Sequence, residues 1–259
     1  MYNNYINFIS NINKNNISNI TFKSNPEYNG ILEHVSIEQG VEYLCLIENE
    51  FEYISHENIN NFVKINDKYG FPNTYNFKYK NNETINASPT SLRYIYHSLL
   101  ILEHFKKTNL LSMVEIGCGY GGLFLAICYF SKLLNIQIDN YYIIDFTEVC
   151  TLINNYLTLN NEFVNIKFLL HNCNEYGKNV EENDLFLISN YCFTEISDEN
   201  RSNYINEIFN KVKNGFILWQ TVFGLEIDKL HIIKKDIVNI VEEKPQTASI
   251  MHKNYFIYF

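Results

Sequence analysis

The segment Val114-Glu115-Ile116-Gly117-Cys118-Gly119-Tyr120-Gly121-Gly122 sets an acidic residue two places before a run of closely spaced glycines. Apolar residues at helical spacing follow, from Leu123 to Leu134. The order reads as strand, tight turn and helix, the first unit of a nucleotide-type α/β fold. Glycines let the chain turn sharply and let a ligand approach the main chain. The N-terminus of the helix adds unpaired N–H groups. Gly117, Gly119 and Gly122 also satisfy G-x-G-x-x-G, so the glycines alone do not separate a dinucleotide from other ligands. Glu115 separates them. A carboxylate at the strand tip repels a pyrophosphate and suits a ligand with an ammonium and a sulfonium. S-adenosylmethionine (SAM) carries both.

Further groups recur at the ends of later apolar runs. Asp145, with Phe146 after it, closes the second run, where an acidic side chain can take the ribose hydroxyls of either SAM or NAD. His171-Asn172-Cys173 follows the third, placed to read an adenine edge through the Asn172 amide. Ser189-Asn190-Tyr191-Cys192-Phe193-Thr194-Glu195 follows the fourth. Open α/β sheets carry their sites at the carboxyl ends of strands. Asn190 and Tyr191 therefore face the methionyl part of the cofactor or the acceptor, and Glu195 is the nearest ionisable group.

The elements that must position these groups alternate. Strands are expected at Ser112–Ile116, Tyr141–Asp145, Val164–Leu170, Asp184–Ser189, Gly215–Gln220, Ile237–Glu242 and Asn254–Phe259. Helices are expected over 122–134, 147–159, 198–213 and 226–235. Such alternation implies a parallel sheet covered on both faces. The last two strands leave no room for a helix between them, so the last strand is expected antiparallel. Ser88 reads as a helix cap and Pro89 as the first position of a helix reaching about His104. A loosely helical start, an amphipathic helix from Glu33 to about Ile54 along Ile37, Val41, Leu44, Cys45 and Ile47, and a turn-rich stretch at 66–73 precede it.

The 259 residues suffice for one large domain or a domain with a cap. The expected division is a cap over 1–87 and a catalytic domain over 88–259. A hydrophobic share of 46% and a charged share of 19% fit a globular core. A net charge of −9 argues against a nucleic-acid partner, which needs a basic face. There is no run of about 18 apolar residues to span a membrane and no secretory signal pattern. The six cysteines form no C-x-x-C pair and read as buried free thiols, which points to a cytoplasmic setting. The spacing of His and carboxylates indicates no metal site.

The order of these motifs resembles the sugar O-methyltransferases, across roughly residues 30–259. The likeness lies in Asn66-Asp67 with Gly70 and Pro72, then Ser88-Pro89-Thr90-Ser91-Leu92-Arg93-Tyr94. The Glu115–Gly122 motif and the Ser189–Glu195 loop complete it. Cys118 departs from the pattern, standing where a second glycine is expected. The resemblance implies a class I methyltransferase, Rossmann-like α/β fold: a mostly parallel seven-stranded sheet with an antiparallel last strand, plus an N-terminal helical cap. It implies SAM as cofactor, S-adenosylhomocysteine (SAH) as product and a sugar hydroxyl, in a nucleotide-sugar or a glycan, as acceptor. Arg93 becomes a partner for the methionyl carboxylate, with Tyr94 and Tyr120 lining the same pocket. The implied cofactor set is Arg93, Tyr94, Glu115, Gly117, Cys118, Gly119, Tyr120, Gly121, Asp145, Phe146, Asn172, Cys173, Asn190 and Tyr191. A sugar hydroxyl is a weak nucleophile, so a nearby base helps. Glu195, His231 and His34 are the candidates, in that order. Alternatives are another small hydroxyl or amine acceptor, an NAD-dependent oxidoreductase, and a catalytically silent partner protein of the same fold.

Overall fold

The computed structural model describes residues 3–15, 17, 20–32, 34–249 and 251–259. Glu33, the expected start of the first amphipathic helix, lies outside them. In chain order the elements are α1 (Asn3–Asn13), α2 (Pro26–Asn29), α3 (Ile37–Glu50), α4 (His56–Asn66), β1 (Tyr75–Lys78), β2 (Thr84–Ala87), α5 (Pro89–Phe105), β3 (Ser112–Ile116), α6 (Gly122–Leu133), β4 (Asn140–Asp145), α7 (Thr147–Leu159), β5 (Lys167–Asn172), β6 (Leu185–Asn190), α8 (Cys192–Glu195), α9 (Asp198–Glu207), β7 (Val212–Gln220), β8 (Asn239–Glu242) and β9 (Asn254–Tyr258). They divide into two compact units: Met1–Leu100, Gly119–Leu134 and Thr151–Asn165 in the first, and Ile101–Cys118, Asn135–Cys150 and Ile166–Phe259 in the second.

The second unit holds a seven-stranded sheet in the order β5-β4-β3-β6-β7-β9-β8. Neighbours from β5 to β7 pair in parallel, while β9 runs antiparallel to both β7 and β8. Every residue of β3 is buried, as are five of the six in β4 and in β6. Strands buried on both faces read as unbroken apolar runs, which is why these were visible in the sequence. On one face, Phe193, Tyr204, Ile208, Leu230 and Ile233 pack with Val114, Leu187, Ile217 and Trp219 in a single apolar cluster. The parallel core with one antiparallel strand inserted beside the edge is the class I methyltransferase arrangement.

The stretch expected as a helix over 226–235 is instead a 3-10 helix, Ile227–Ile233. Its buried residues, Leu230 and Ile233, are three apart, and no side chain caps its start. That spacing fits three residues per turn. Likewise the helix expected over 198–213 ends at Glu207 and continues as a short 3-10 turn, Phe209–Lys211.

In the first unit Asn3–Asn13 form a regular helix where a loosely helical start was expected. Tyr5, Ile9 and Ile12 lie on one buried stripe of α1, and Asn25 caps α2. A capping box at Ser36 and Gln39 starts α3. The buried face of α3 is Gly40, Tyr43, Leu44 and Ile47, whereas Ile37, Val41 and Cys45, expected inside, are exposed. Gly40 allows the close packing: a Cβ there would lie 2.8 Å from the Phe77 ring. The helix α4 and the β1–β2 hairpin are additions to the sequence-based picture. No helix among the described residues is long and apolar enough to cross a membrane.

Candidate functional site

Within the second unit the glycine turn leaves the tip of β3. The Gly117 N–H donates to the Ile144 carbonyl at 3.0 Å, extending the β3–β4 ladder into the turn. Gly117 has φ +80°, and a Cβ on it would sit 2.4 Å from Cys192 Cβ and 2.6 Å from its Sγ. Backbone conformation and space thus both require glycine. Gly117→Ala is expected to destabilise the fold by about 2–4 kcal/mol. Guanidinium unfolding measures this, and an unchanged midpoint would show that the notch is not filled.

Glu115 is buried, accepts the Tyr141 hydroxyl at 2.8 Å and is hydrogen-bonded by the Cys118 thiol. Burial pushes its carboxyl up to about 7; the bonds from Cys118 and Tyr141 oppose the rise, and the charge of Asp145 adds to it. A carboxylate held this far up is short of positive charge. Asp145 sits at the end of β4, 9% exposed, and accepts the Phe146 N–H at 2.8 Å. Asn172 pairs with Asp145 in the β4–β5 register, accepts the Asn174 N–H and donates to the Thr147 hydroxyl. Cys173 begins a 3-10 turn directly after it, and burial followed by the Asp145 charge pushes its thiol up to about 11. Burial also pushes up Cys118, Cys150 and Cys192, so these thiols stay protonated at neutral pH.

The loop after β6 is stitched to the same edge. The Ser189 hydroxyl donates to the Ile116 carbonyl at 3.0 Å and accepts the Phe193 N–H at 3.1 Å. Asn190 ends the strand, and Tyr191 follows at φ 68°, ψ −47°. Such a conformation costs a non-glycine residue about 1–3 kcal/mol and persists only where its surroundings hold it. The holder is Glu243, 1% exposed, which accepts the Tyr191 hydroxyl at 2.7 Å and also the Thr247 and Asn254 side chains. Arg201, also buried, donates to the carbonyls of Phe193, Thr194 and Ile196 and so fixes α8 from below. Ser189 was visible only as part of the loop motif, and Glu243 and Arg201 had no signal in the sequence, because each acts through a partner that no local pattern reveals. Glu195 closes the four-residue α8 and is partly exposed. His231 lies exposed in the 3-10 helix with Nδ1 donating to the Asp228 carbonyl at 2.7 Å.

Within the first unit, Arg93 is 4% exposed and its Nη2 donates to the Leu32 carbonyl at 2.7 Å. Leu32 also fills the space beside Gly119, where a Cβ would lie 3.0 Å from its Cδ1. Tyr94 and Tyr120 meet edge to face at 5.8 Å and close over Gly122. Gly121, at φ 94°, caps α6 without a side chain and sits beside Ile153 and Leu157.

Asn66 ties this unit together. It donates to the Ser91 hydroxyl at 2.7 Å and the Tyr120 hydroxyl at 3.0 Å, and accepts from Tyr156 at 2.9 Å. The Lys23 ammonium donates to its carbonyl and lies 4.2 Å from the Tyr120 ring centroid. Asp67 in turn accepts from Ser88 and Ser91 at the start of α5. Gly70 admits the chain at Phe22 and Lys23, where a Cβ would lie 2.6 Å from the Phe22 ring. The motif residues 66–70 and 88–94 thus form one scaffold around Tyr120 and Arg93. His34 is exposed, yet desolvation and then the Arg93 charge hold its ring down to about 4. Among the described residues no group of three or more His, Cys, Asp and Glu side chains is arranged to hold a metal.

No protein-family model matches the chain, and no curated protein does. Solved structures that resemble it include the mitomycin 7-O-methyltransferase MmcR, at 9% identity and a TM-score of 0.43, over 66% of this chain and 55% of that one. The glycopeptide N-methyltransferase MtfA complexed with SAM gives 8% identity and a TM-score of 0.46, over 62% of this chain and 86% of that one. TehB from Haemophilus influenzae gives 15% identity and a TM-score of 0.43, over 61% and 59%. The chain thus spans little more than half the length of MmcR and of TehB. Its own sheet order carries the fold: the chain has the class I SAM-dependent methyltransferase fold.

Proposed function

We propose that the chain is a SAM-dependent methyltransferase that acts on a sugar hydroxyl. The observation that carries the reading is Glu115, a buried carboxyl at a strand tip beside the glycine turn, raised to about 7 and unpaired with any cationic side chain in the contacts that set its pKa. A pyrophosphate there would add negative charge to negative charge. A ligand ammonium would instead satisfy the site.

The residues fit the cofactor in kind. Asp145 takes the ribose hydroxyls, Phe146 and Tyr191 border it, and Asn172 with Cys173 reads the adenine edge. Arg93, held in place by Leu32, takes the methionyl carboxylate as a bidentate partner. Bound SAM supplies an electrophilic methyl on a sulfonium. The chain's own task is to align the acceptor hydroxyl with it and to take up the hydroxyl proton. The sugar as acceptor rests on the motif resemblance.

Titration calorimetry tests the cofactor. SAH is expected to bind with micromolar affinity and NAD not at all. Asp145→Ala is expected to weaken SAH by about ten-fold or more, through the loss of charge-assisted hydrogen bonds, with Asp145→Asn intermediate. Binding of NAD with SAH ignored would overturn the reading, and unchanged affinity in a folded Asp145→Ala would remove that residue from it.

A further inference from the structure

The first unit contains a pocket of about 230 Å³. Asn29, His34 and Val35 line it from the chain leading into α3, Asn73 and Tyr75 from the turn into β1, and Pro89 and Thr90 from the first turn of α5. Its polar groups are two amides, two hydroxyls and an imidazole. None of these described residues brings a carboxylate, an ammonium or a guanidinium to the lining. An anionic ligand would need the last two, and a cationic one the first. Amides, hydroxyls and a neutral imidazole both donate and accept, and ligand hydroxyls do the same. Val35 and Pro89 offer a small apolar patch, which suits the C–H face of a saturated ring. The volume lies below the roughly 300–1,000 Å³ of sites for drug-sized ligands, so it fits one ring. Asn73 and Tyr75 are exposed, so the rest of a larger acceptor can remain in solvent.

Arg93 is not in the lining but lies near it along the chain. Thr90 lies one helical turn before Arg93 on α5, and the Leu32 carbonyl that holds the guanidinium lies two residues before His34. We propose that this pocket is the acceptor site and that it takes an uncharged, polyhydroxylated single ring, one pyranose unit. Its role as the acceptor site rests on the methyltransferase reading, in which Arg93 grips the end of the cofactor that carries the methyl. Its affinity for a neutral ring does not.

Saturation-transfer NMR on the full chain without cofactor tests it. The probes are neutral methyl pyranosides of the gluco, manno, galacto and 6-deoxy series, with glucuronate and glucosamine as charged counterparts. At least one neutral pyranoside is expected to bind, and the charged sugars at least about ten-fold more weakly. Asn73→Leu and Thr90→Val are each expected to weaken the neutral sugar by about three- to ten-fold, while SAH affinity and the melting temperature hold. Asn73 is exposed and Thr90→Val keeps its shape, so both variants should fold. SAH bound with no neutral pyranoside bound, or a sugar whose binding ignores both substitutions, overturns the pocket and leaves the methyltransferase reading in place. Sugar bound as described with SAH ignored does the reverse.

Discussion

Replacing His34 by glutamine is expected to lower turnover by roughly 10²–10⁴-fold while SAH affinity stays within about two-fold of wild type. The imidazole lines the polar pocket, and desolvation with the Arg93 charge holds it down to about 4. At pH 7 it is therefore neutral, with a lone pair available to a hydroxyl proton. A pKa of 4 makes a weak base, but part of that depression is Arg93. A cofactor carboxylate paired with Arg93 would cancel the guanidinium charge and raise His34 toward its ordinary range, so the base strengthens when the cofactor is in place. Glu195 and His231 stood ahead of His34 on sequence alone. Glu195 closes a four-residue helix, and His231 is exposed with its Nδ1 engaged by its own turn. Glu195→Gln and His231→Gln are expected to keep turnover within a few-fold. Transfer of a labelled methyl to the pyranoside that binds, with SAH calorimetry on all three variants, decides it. Near wild-type turnover in His34→Gln with collapse in either of the others would move the base.

Glu115 gives the second expectation, an affinity for SAM that improves about ten-fold between pH 6 and pH 8. Burial, opposed by Cys118 and Tyr141 and reinforced by Asp145, holds the carboxyl at about 7. Its folded pKa thus lies above the unfolded value of 4.5. The native state carries an extra proton between those two values, and the stability contributed by that proton is lost as pH rises through 7. A ligand ammonium favours the ionised form, so binding expels the proton below pH 7 and is weakened there. Above pH 7 the group is already ionised and the penalty is gone. Calorimetry at several pH values in buffers of different ionisation enthalpy counts the released proton. Glu115→Gln should bind more weakly and with a flat profile over the same range. A flat profile in the wild-type protein would separate Glu115 from the ligand charge.

Much of the sheet was legible because its strands are continuous apolar runs between glycines and polar turns. Ser112–Ile116 and the helix over 147–159 were readable to the residue. The first unit was less so. In α4 the buried Ile59, Phe62 and Val63 are thinly spread among Asn and Lys, and each strand of the hairpin offers only four residues of alternation. The glycine turn and its acidic neighbour form a local pattern and could be read. The groups that hold the site could not: Glu243 meets Tyr191 across 52 positions, and Lys23 meets Asn66 across 43. The motif at 66–70 was visible as a pattern, but its work as a hydrogen-bonded hub needed the folded chain.

The place of β9 in the sheet bears on the order in which the chain can assemble. β8 is made before β9, yet its neighbour in the sheet is β9, which in turn pairs with β7. While the chain is being synthesised, β7 can add to β6 as soon as it emerges, but β8 has nothing to join. It waits as an unpaired ribbon until the last strand arrives and slots in between. The strand is four residues long with all of them exposed, and Glu242 meets its partner Lys253 only when β9 arrives. Until then Ile240 and Val241, with Val238 beside them, stand as an exposed apolar edge, and only its short length limits what a neighbouring nascent chain can seize.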